Sequence, residues 1–219
     1  MKRKALILSV LAVVLIVFVG AKTYVTRTKP TPDLSGVSPE IAEALGRAYS
    51  PILGPEDAPV TIYEFFDPAC EACRAFHPIV KDILAEHGDA VRVVLRYTPL
   101  HGEASQIAIR MLEAARMQGK FEPVLEEVLR LQPQWASHGN MRPDLLLQIG
   151  AAAGLDPDAA LTQMKSPEVT GILNQDLADL ATVGVKRTPT FFVNGKPVEP
   201  FGETTLRALV AEEVADAGT

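Results

Sequence analysis

Cysteine is scarce in this chain of 219 residues: Cys70 and Cys73 are the only two. No second Cys-x-x-Cys and no His-x-x-His pair accompanies them, so nothing completes a four-ligand zinc site. The sequence also lacks internal repeats and low-complexity stretches. Acidic side chains are missing from residues 1–29, which carry Lys2, Arg3, Lys4, Lys22, Arg27 and Lys29. The remainder then holds 15 basic against 27 acidic residues, a net charge of −12. A body charged this way is repelled by nucleic acid and by anionic lipid surfaces, so no nucleic-acid partner is expected. Hydrophobic residues at 47% and charged residues at 22% otherwise describe a globular protein with one added apolar segment.

That segment is Ala5 to Ala21, seventeen residues with no charge and only Ser9 as a polar side chain. Its length lies between a signal-peptide core and a full membrane span. Val19-Gly20-Ala21 offers small residues where a signal peptidase could cut, whereas the length of the run favours retention as a single anchor in the inner membrane. With either outcome Lys2-Arg3-Lys4 stays in the cytoplasm and the domain is exported. Soluble periplasmic and anchored forms are thus the two expected locations. An exported dithiol meets an oxidising compartment, where disulfides have partners.

The remainder divides into a tether and short helix over residues 22–49, a first core half over 50–101, a helical block over 102–183 and a second core half over 184–219. Ser38-Pro39-Glu40 caps a short helix ending near Tyr49, and residues 51–59 form a turn-rich entry to the core. Val60 to Phe66 and Val91 to Tyr97 are apolar strands on either side of a helix, which predicts a parallel βαβ unit. Five helical pieces follow, the last two opened by Asp156-Pro157 and Ser166-Pro167-Glu168. Thr190 to Val193, Asn194-Gly195 and Lys196-Pro197-Val198 predict a hairpin, and a closing helix runs from about Glu203 to Val214.

Cys70-Glu71-Ala72-Cys73 sits where the first strand becomes a helix. A cysteine in the first helical turn faces unpaired N–H groups and the positive end of the dipole, which favour a thiolate. Two cysteines three residues apart can close a disulfide within that turn. Reversible dithiol–disulfide exchange is the predicted chemistry, with a structural disulfide or half of a metal site as alternatives.

Leu53-Gly54, Asp57-Ala58-Pro59-Val60-Thr61-Ile62, Glu64-Phe65-Phe66-Asp67, Cys70-x-x-Cys73 and Thr188-Pro189-Thr190-Phe191-Phe192-Val193-Asn194-Gly195 resemble the exported DsbA-like proteins of thioredoxin fold. The likeness spans roughly residues 50–214. It implies an α/β thioredoxin fold, a central mixed sheet flanked by helices, with an inserted all-helical subdomain. It also implies a thiol–disulfide oxidoreductase acting on cysteine-containing exported clients and recycled by a membrane redox partner. Cys70 matches the attacking cysteine, Cys73 the resolving one, and Cys70–Cys73 the redox-active disulfide. Pro189 matches a cis-proline beside that disulfide, and Thr188 offers main-chain groups to the client. Glu64, six residues before Cys70, matches a buried acid that assists proton movement. No cofactor and no metal are implied.

Other residues carry plainer expectations. His77 lies two turns along the helix from Cys70, beside Pro78, which marks a kink. His101 reads as a capping or solvated histidine just past a strand end, His87 and His138 as loop residues, and Trp135 as packing within the helical insertion. A competing function is an anchored thioredoxin-like module that holds copper(I) with the dithiol, since two thiolates suit a soft metal. A structural assembly factor with a redundant disulfide is a third reading.

Glu71 and Ala72 stand between the cysteines, where the strongest oxidants of the resembled family carry a thiolate-stabilising group. A carboxylate next to Cys70 opposes the helix dipole, so a potential between those oxidants and thioredoxin is expected. A dimeric isomerase is disfavoured, because only a tether and a short helix precede the core. The direction of exchange stays open at the level of sequence.

Overall fold

The structure, a computed structural model, describes Leu34, residues 36–137 and residues 139–218. The expected signal or anchor segment 1–21, most of the tether and His138 lie outside the described residues.

Nine α-helices and seven strands are described, in the order α1 (Pro39–Leu45), β1 (Ile52–Leu53), β2 (Val60–Phe66), α2 (Glu71–His87), β3 (Val91–Tyr97), α3 (Glu103–Met117), α4 (Phe121–Arg130), α5 (Gln132–Trp135), β4 (Ala136–Ser137), β5 (Asn140–Met141), α6 (Leu146–Ala152), α7 (Pro157–Gln163), α8 (Pro167–Val183), β6 (Thr190–Val193), β7 (Lys196–Pro197) and α9 (Glu203–Ala217). One sheet takes the order β1-β3-β2-β6-β7. β2 and β3 pair in parallel from Val60↔Val91 to Phe66↔Tyr97, and β6 runs antiparallel to β2 with Glu64 opposite Phe191. This is the expected βαβ unit, closed by the expected hairpin, in a thioredoxin fold.

All seven residues of β2 are buried, because both faces of the sheet are covered. Ile62 and Phe66 point to the side carrying α2 and α9, where Val80, Ile83, Leu206 and Val210 meet them. Tyr63 and Phe65 point to the opposite side, against Leu45 of α1 and Leu180 of α8. Alternation puts Glu64 on the α2 side with Ile62 and Phe66.

Helix ends follow the local chemistry. Ser166 Oγ accepts the Val169 N–H at 3.2 Å, Pro167 takes the first position of α8, and Gly184 ends that helix at φ 80°. Asp156 caps α7 in the same way, accepting from Asp158 and Ala159. The Asn194-Gly195 turn has both residues at positive φ, 46° and 82°. Glycine is required at 195 on a second count: a Cβ there would lie 2.4 Å from Val37 Cγ2 and 2.9 Å from Leu34 Cδ2.

Four features depart from the expectations. α1 stops at Leu45 rather than near Tyr49, because Arg47 and Tyr49 turn to bond Asp179 and Asp176 of α8. Ile52–Leu53 is a strand, pairing antiparallel with β3, although turn residues surround it. The insertion is not wholly helical, for β4 and β5 pair Ala136 with Met141 and Ser137 with Asn140. His87 closes α2 instead of lying in a loop. The last helix of the block, α8, packs on β3 and α1 as a layer of the core.

Behind the sheet, Arg96 is fully buried and bonds Asp176 at 2.8 Å and Asp179 at 2.7 Å, while donating to the Ala44 carbonyl. Arg47 pairs with Asp179 at 2.7 Å, and the Tyr97 N–H and Tyr49 hydroxyl both donate to Asp176. This cluster ties α1, β3 and α8 together through buried polar contacts.

Candidate dithiol site

The buried strand β2 delivers the chain to Asp67, and the turn 67–69 aims α2 back along the sheet. Cys70 is the N-cap of α2 and donates its N–H to the Asp67 carbonyl at 3.0 Å. No side chain caps this helix start, so the first-turn N–H groups are left for the sulfur. Both cysteines are free thiols, Cys70 7% exposed and Cys73 fully buried.

The two thiols are pushed apart electrostatically. Cys70 falls to about 5, through a hydrogen bond with the Cys73 side chain, a bond from Thr188 and the N–H groups of Cys73 and Ala72, which together outweigh burial. Cys73 rises well above the ordinary thiol range, by burial first, then by the hydrogen bond to Cys70 and the charges of Glu64 and Cys70. A lowering contact on Cys73 comes from the Asp67 N–H, 3.5 Å from its sulfur. Glu64 is 2% exposed and raised to about 8, by burial first and then by the Cys70 charge.

The Thr188–Pro189 peptide is cis, as is Glu199–Pro200, which the sequence reading did not anticipate. The Cys70 sulfur lies 3.4 Å from the Thr188 carbonyl oxygen. The structure thus brings Cys70, Cys73, Glu64, Thr188 and Pro189 to one place. Glu71 and Ala72 lie exposed on the first turn of α2. α2 runs on through Pro78, and His77 bonds Glu126 of α4 at 3.0 Å, a bridge to the insertion. Trp135 is fully buried with its Nε1 donating to the Val128 carbonyl, the expected packing role.

Two contacts to this site went unread in the sequence. Gln132, buried at the start of α5, donates to the carbonyls of Pro68 at 2.7 Å and Cys70 at 2.9 Å, and accepts from Arg74 at 3.0 Å. Asp67, also buried, accepts at one oxygen from the Ala69 N–H, and at the other from the N–H groups of Leu100 and His101. His101 Nδ1 lies 2.7 Å from that second oxygen, so this histidine is neither a helix cap nor merely solvated. Asp67 belonged to the motif that carried the resemblance, but nothing local gave it a role; Gln132 left no signal at all.

Among the described residues, Glu212, Glu213 and Asp216 form a group of carboxylates within 4.8 Å of one another, and no such group includes either cysteine. Lys196 pairs with Glu212 and Glu213, which makes that group part of an ion-pair cluster. Phe76, Phe191 and Phe201 form an aromatic cluster joining α2 to β6, with centroids 4.8 to 6.4 Å apart and only Phe191 and Phe201 parallel.

Comparison with known proteins agrees with this geometry. The thioredoxin family model matches residues 47–212. A thioredoxin-like oxidoreductase from Silicibacter pomeroyi is 31% identical, covering 80% of this chain and 96% of its own, with a TM-score of 0.68. The thiol-disulfide exchange protein alpha-DsbA2 of Wolbachia pipientis shares the fold at 21% identity and a TM-score of 0.66, covering 88% of this chain and 97% of its own. A Na(+)/H(+) antiporter NhaA of Herminiimonas arsenicoxydans is 37% identical over 66% of this chain, which spans only 22% of that antiporter's length. With the family model matched over residues 47–212, most of its length, this chain belongs to the thioredoxin family.

Proposed function

We propose that this protein exchanges disulfides with cysteine-containing exported proteins through Cys70 and Cys73. The opposite displacement of the two thiols carries the reading: Cys70 is a thiolate at neutral pH and Cys73 a protected thiol. In the reducing direction the Cys70 thiolate attacks a client disulfide, forming a mixed disulfide and releasing one client thiolate. Cys73 then loses its proton, attacks the Cys70 sulfur, closes the Cys70–Cys73 disulfide and releases the second client thiolate. The pair is oxidised by two electrons as the client disulfide is reduced; the oxidising direction is the reverse.

Glu64 takes the Cys73 proton as that thiol becomes the attacking group. A carboxyl raised to about 8 is well placed to hold or release a proton near neutrality. The Thr188 main chain, beside the cis Pro189, holds the client segment against Cys70. Glu71 and Ala72, flanking the attacking sulfur, tune its acidity. A thiol at about 5 falls between strong DsbA-type oxidants (about 3.5) and thioredoxin (about 7), which supports the expected intermediate potential.

The domain works outside the cytoplasm. The unbroken apolar run Ala5 to Ala21 behind Lys2-Arg3-Lys4 supports export, with the run retained as a signal-anchor or removed. Among the described residues no helix is long and apolar enough to cross a membrane. A membrane redox partner returns the pair to its working state after each exchange.

Client trapping tests the reading. With Cys73→Ser the mixed disulfide should accumulate as adducts on a non-reducing gel that vanish on adding dithiothreitol. Cys70→Ser should give none. Equal adducts from both variants, or none from Cys73→Ser in cells where the wild type cycles, would remove the division of labour.

A further inference from the structure

Cys73 has an unsolved difficulty in this mechanism. It must become an anion in a fully buried position, beside Glu64 and Cys70, which both disfavour its charge. Among the described residues the Asp67 N–H, 3.5 Å from its sulfur, opposes them. How that N–H is aimed therefore matters to the resolving half of the exchange.

Asp67 is held from several directions at once. Its carbonyl accepts the Cys70 N–H at 3.0 Å, so its own main chain touches both cysteines. One carboxylate oxygen ties the turn before α2, through Ala69 at 2.9 Å. The other ties the loop after β3, through the N–H groups of Leu100 at 2.8 Å and His101 at 3.1 Å. The His101 ring completes the set, with Nδ1 at 2.7 Å from that same oxygen. An oxygen already taking two N–H bonds is an acceptor, so the ring nitrogen donates to it. His101 is also the partly exposed member, its side chain 31% accessible beside an Asp67 with no accessible surface.

We infer that Asp67 and His101 are a positioning pair that fixes the Asp67 peptide N–H against Cys73 and so sets the rate at which Cys73 resolves the mixed disulfide. The inference rests on Cys73 being the resolving cysteine, as proposed above. Neither residue exchanges electrons or takes the proton. The carboxylate locks the peptide plane between two loops, and the imidazole locks the carboxylate. As the Cys73 S–H bond breaks and negative charge gathers on sulfur, a donor already in place stabilises it without rearrangement. Cys70 draws the stabilisation of its thiolate from Cys73, Thr188 and the first-turn N–H groups rather than from the Asp67 carboxylate or His101.

Replacing Asp67 would remove several main-chain contacts together, so the test uses His101. The dithiol protein is mixed with a bis(nitrobenzoate) disulfide, whose released thiolate is coloured. The first equivalent reports attack by Cys70 and the second reports resolution by Cys73. His101→Ala should slow the second phase about tenfold and leave the first within about twofold of wild type. His101→Asn, which keeps a donor nitrogen near the Nδ1 position, should recover most of the loss. A second phase within about twofold of wild type in His101→Ala, or equal slowing of both phases, overturns the inference. Absence of the first phase in the wild type overturns the exchange reading itself, and this inference with it.

Discussion

The side chains of Cys73 and Cys70 are hydrogen-bonded to each other, and that one contact moves them in opposite directions, lowering Cys70 and raising Cys73. The acidity of Cys70 is thus supplied first by Cys73, ahead of Thr188 and the first-turn N–H groups of α2.

Thiolate absorbance in the ultraviolet checks this directly. In the dithiol protein the first titration should have its midpoint near 5. Removing the partner with Cys73→Ala should move the Cys70 midpoint upward, toward the ordinary thiol value. An unchanged or lower midpoint in Cys73→Ala would show that the helix start alone acidifies Cys70.

Glu64 gives a prediction about stability and pH. Its folded value is about 8 against an ordinary 4.5, so the folded dithiol protein holds the proton more tightly than the unfolded chain. The stabilisation this brings is complete below about 4.5, shrinks as pH rises through the interval, and is gone above about 8. Glu64→Gln removes that dependence. Relative to wild type the variant should gain stability in urea unfolding between pH 5 and pH 8, by an amount on the order of several kcal/mol at the upper end. A constant difference across that range would contradict a buried, proton-holding Glu64.

Gln132 binds the insertion to the turn carrying Cys70. Gln132→Leu keeps the bulk but removes both donors, leaving the Pro68 carbonyl without its 2.7 Å partner. Urea unfolding should show a loss of about 1–3 kcal/mol, the cost of an orphaned buried polar group. A loss no larger than that of an exposed glutamine elsewhere, such as Gln134, would mean the contact contributes nothing.

Much of this architecture was written locally. Alternation and turn residues marked β2, β3 and the β6–β7 hairpin, and Ser38, Asp156 and Ser166 marked helix starts with proline behind them. The dithiol and Pro189 were legible because their chemistry needs few neighbours. Contacts formed by distant chain were not. Gln132 reaches across 62 and 64 residues to the site, and His101 across 34 to Asp67. Glu71 was legible as a charge but not in its weight: it lies exposed, and Cys70 falls to about 5 with it in place. The short pairings β1 and β4–β5 were hidden because two residues carry no period.

Arg96 illustrates the same limit and offers a further test. A basic residue inside an apolar strand gives no hint of its partners, yet it sits with no exposure between Asp176 and Asp179. Arg96→Ala leaves the buried Asp176 without a cation and Asp179 with Arg47 alone, and should cost about 3–5 kcal/mol. Arg96→Met, with both aspartates changed to leucine, should recover a large part of that loss in thermal unfolding. Failure of the triple replacement to recover any of it would point to the Ala44 carbonyl, rather than the ion pairs, as the contact that matters.

The outer strands of the sheet, β1 and β7, are each two residues long. An edge that short presents almost no unpaired ladder for another extended chain to join. For the exchange with client polypeptides proposed above, this separates brief contact from lasting association. A partner can be held at the sulfur and released when the bond is exchanged, with no row of main-chain hydrogen bonds along the rim to keep it there.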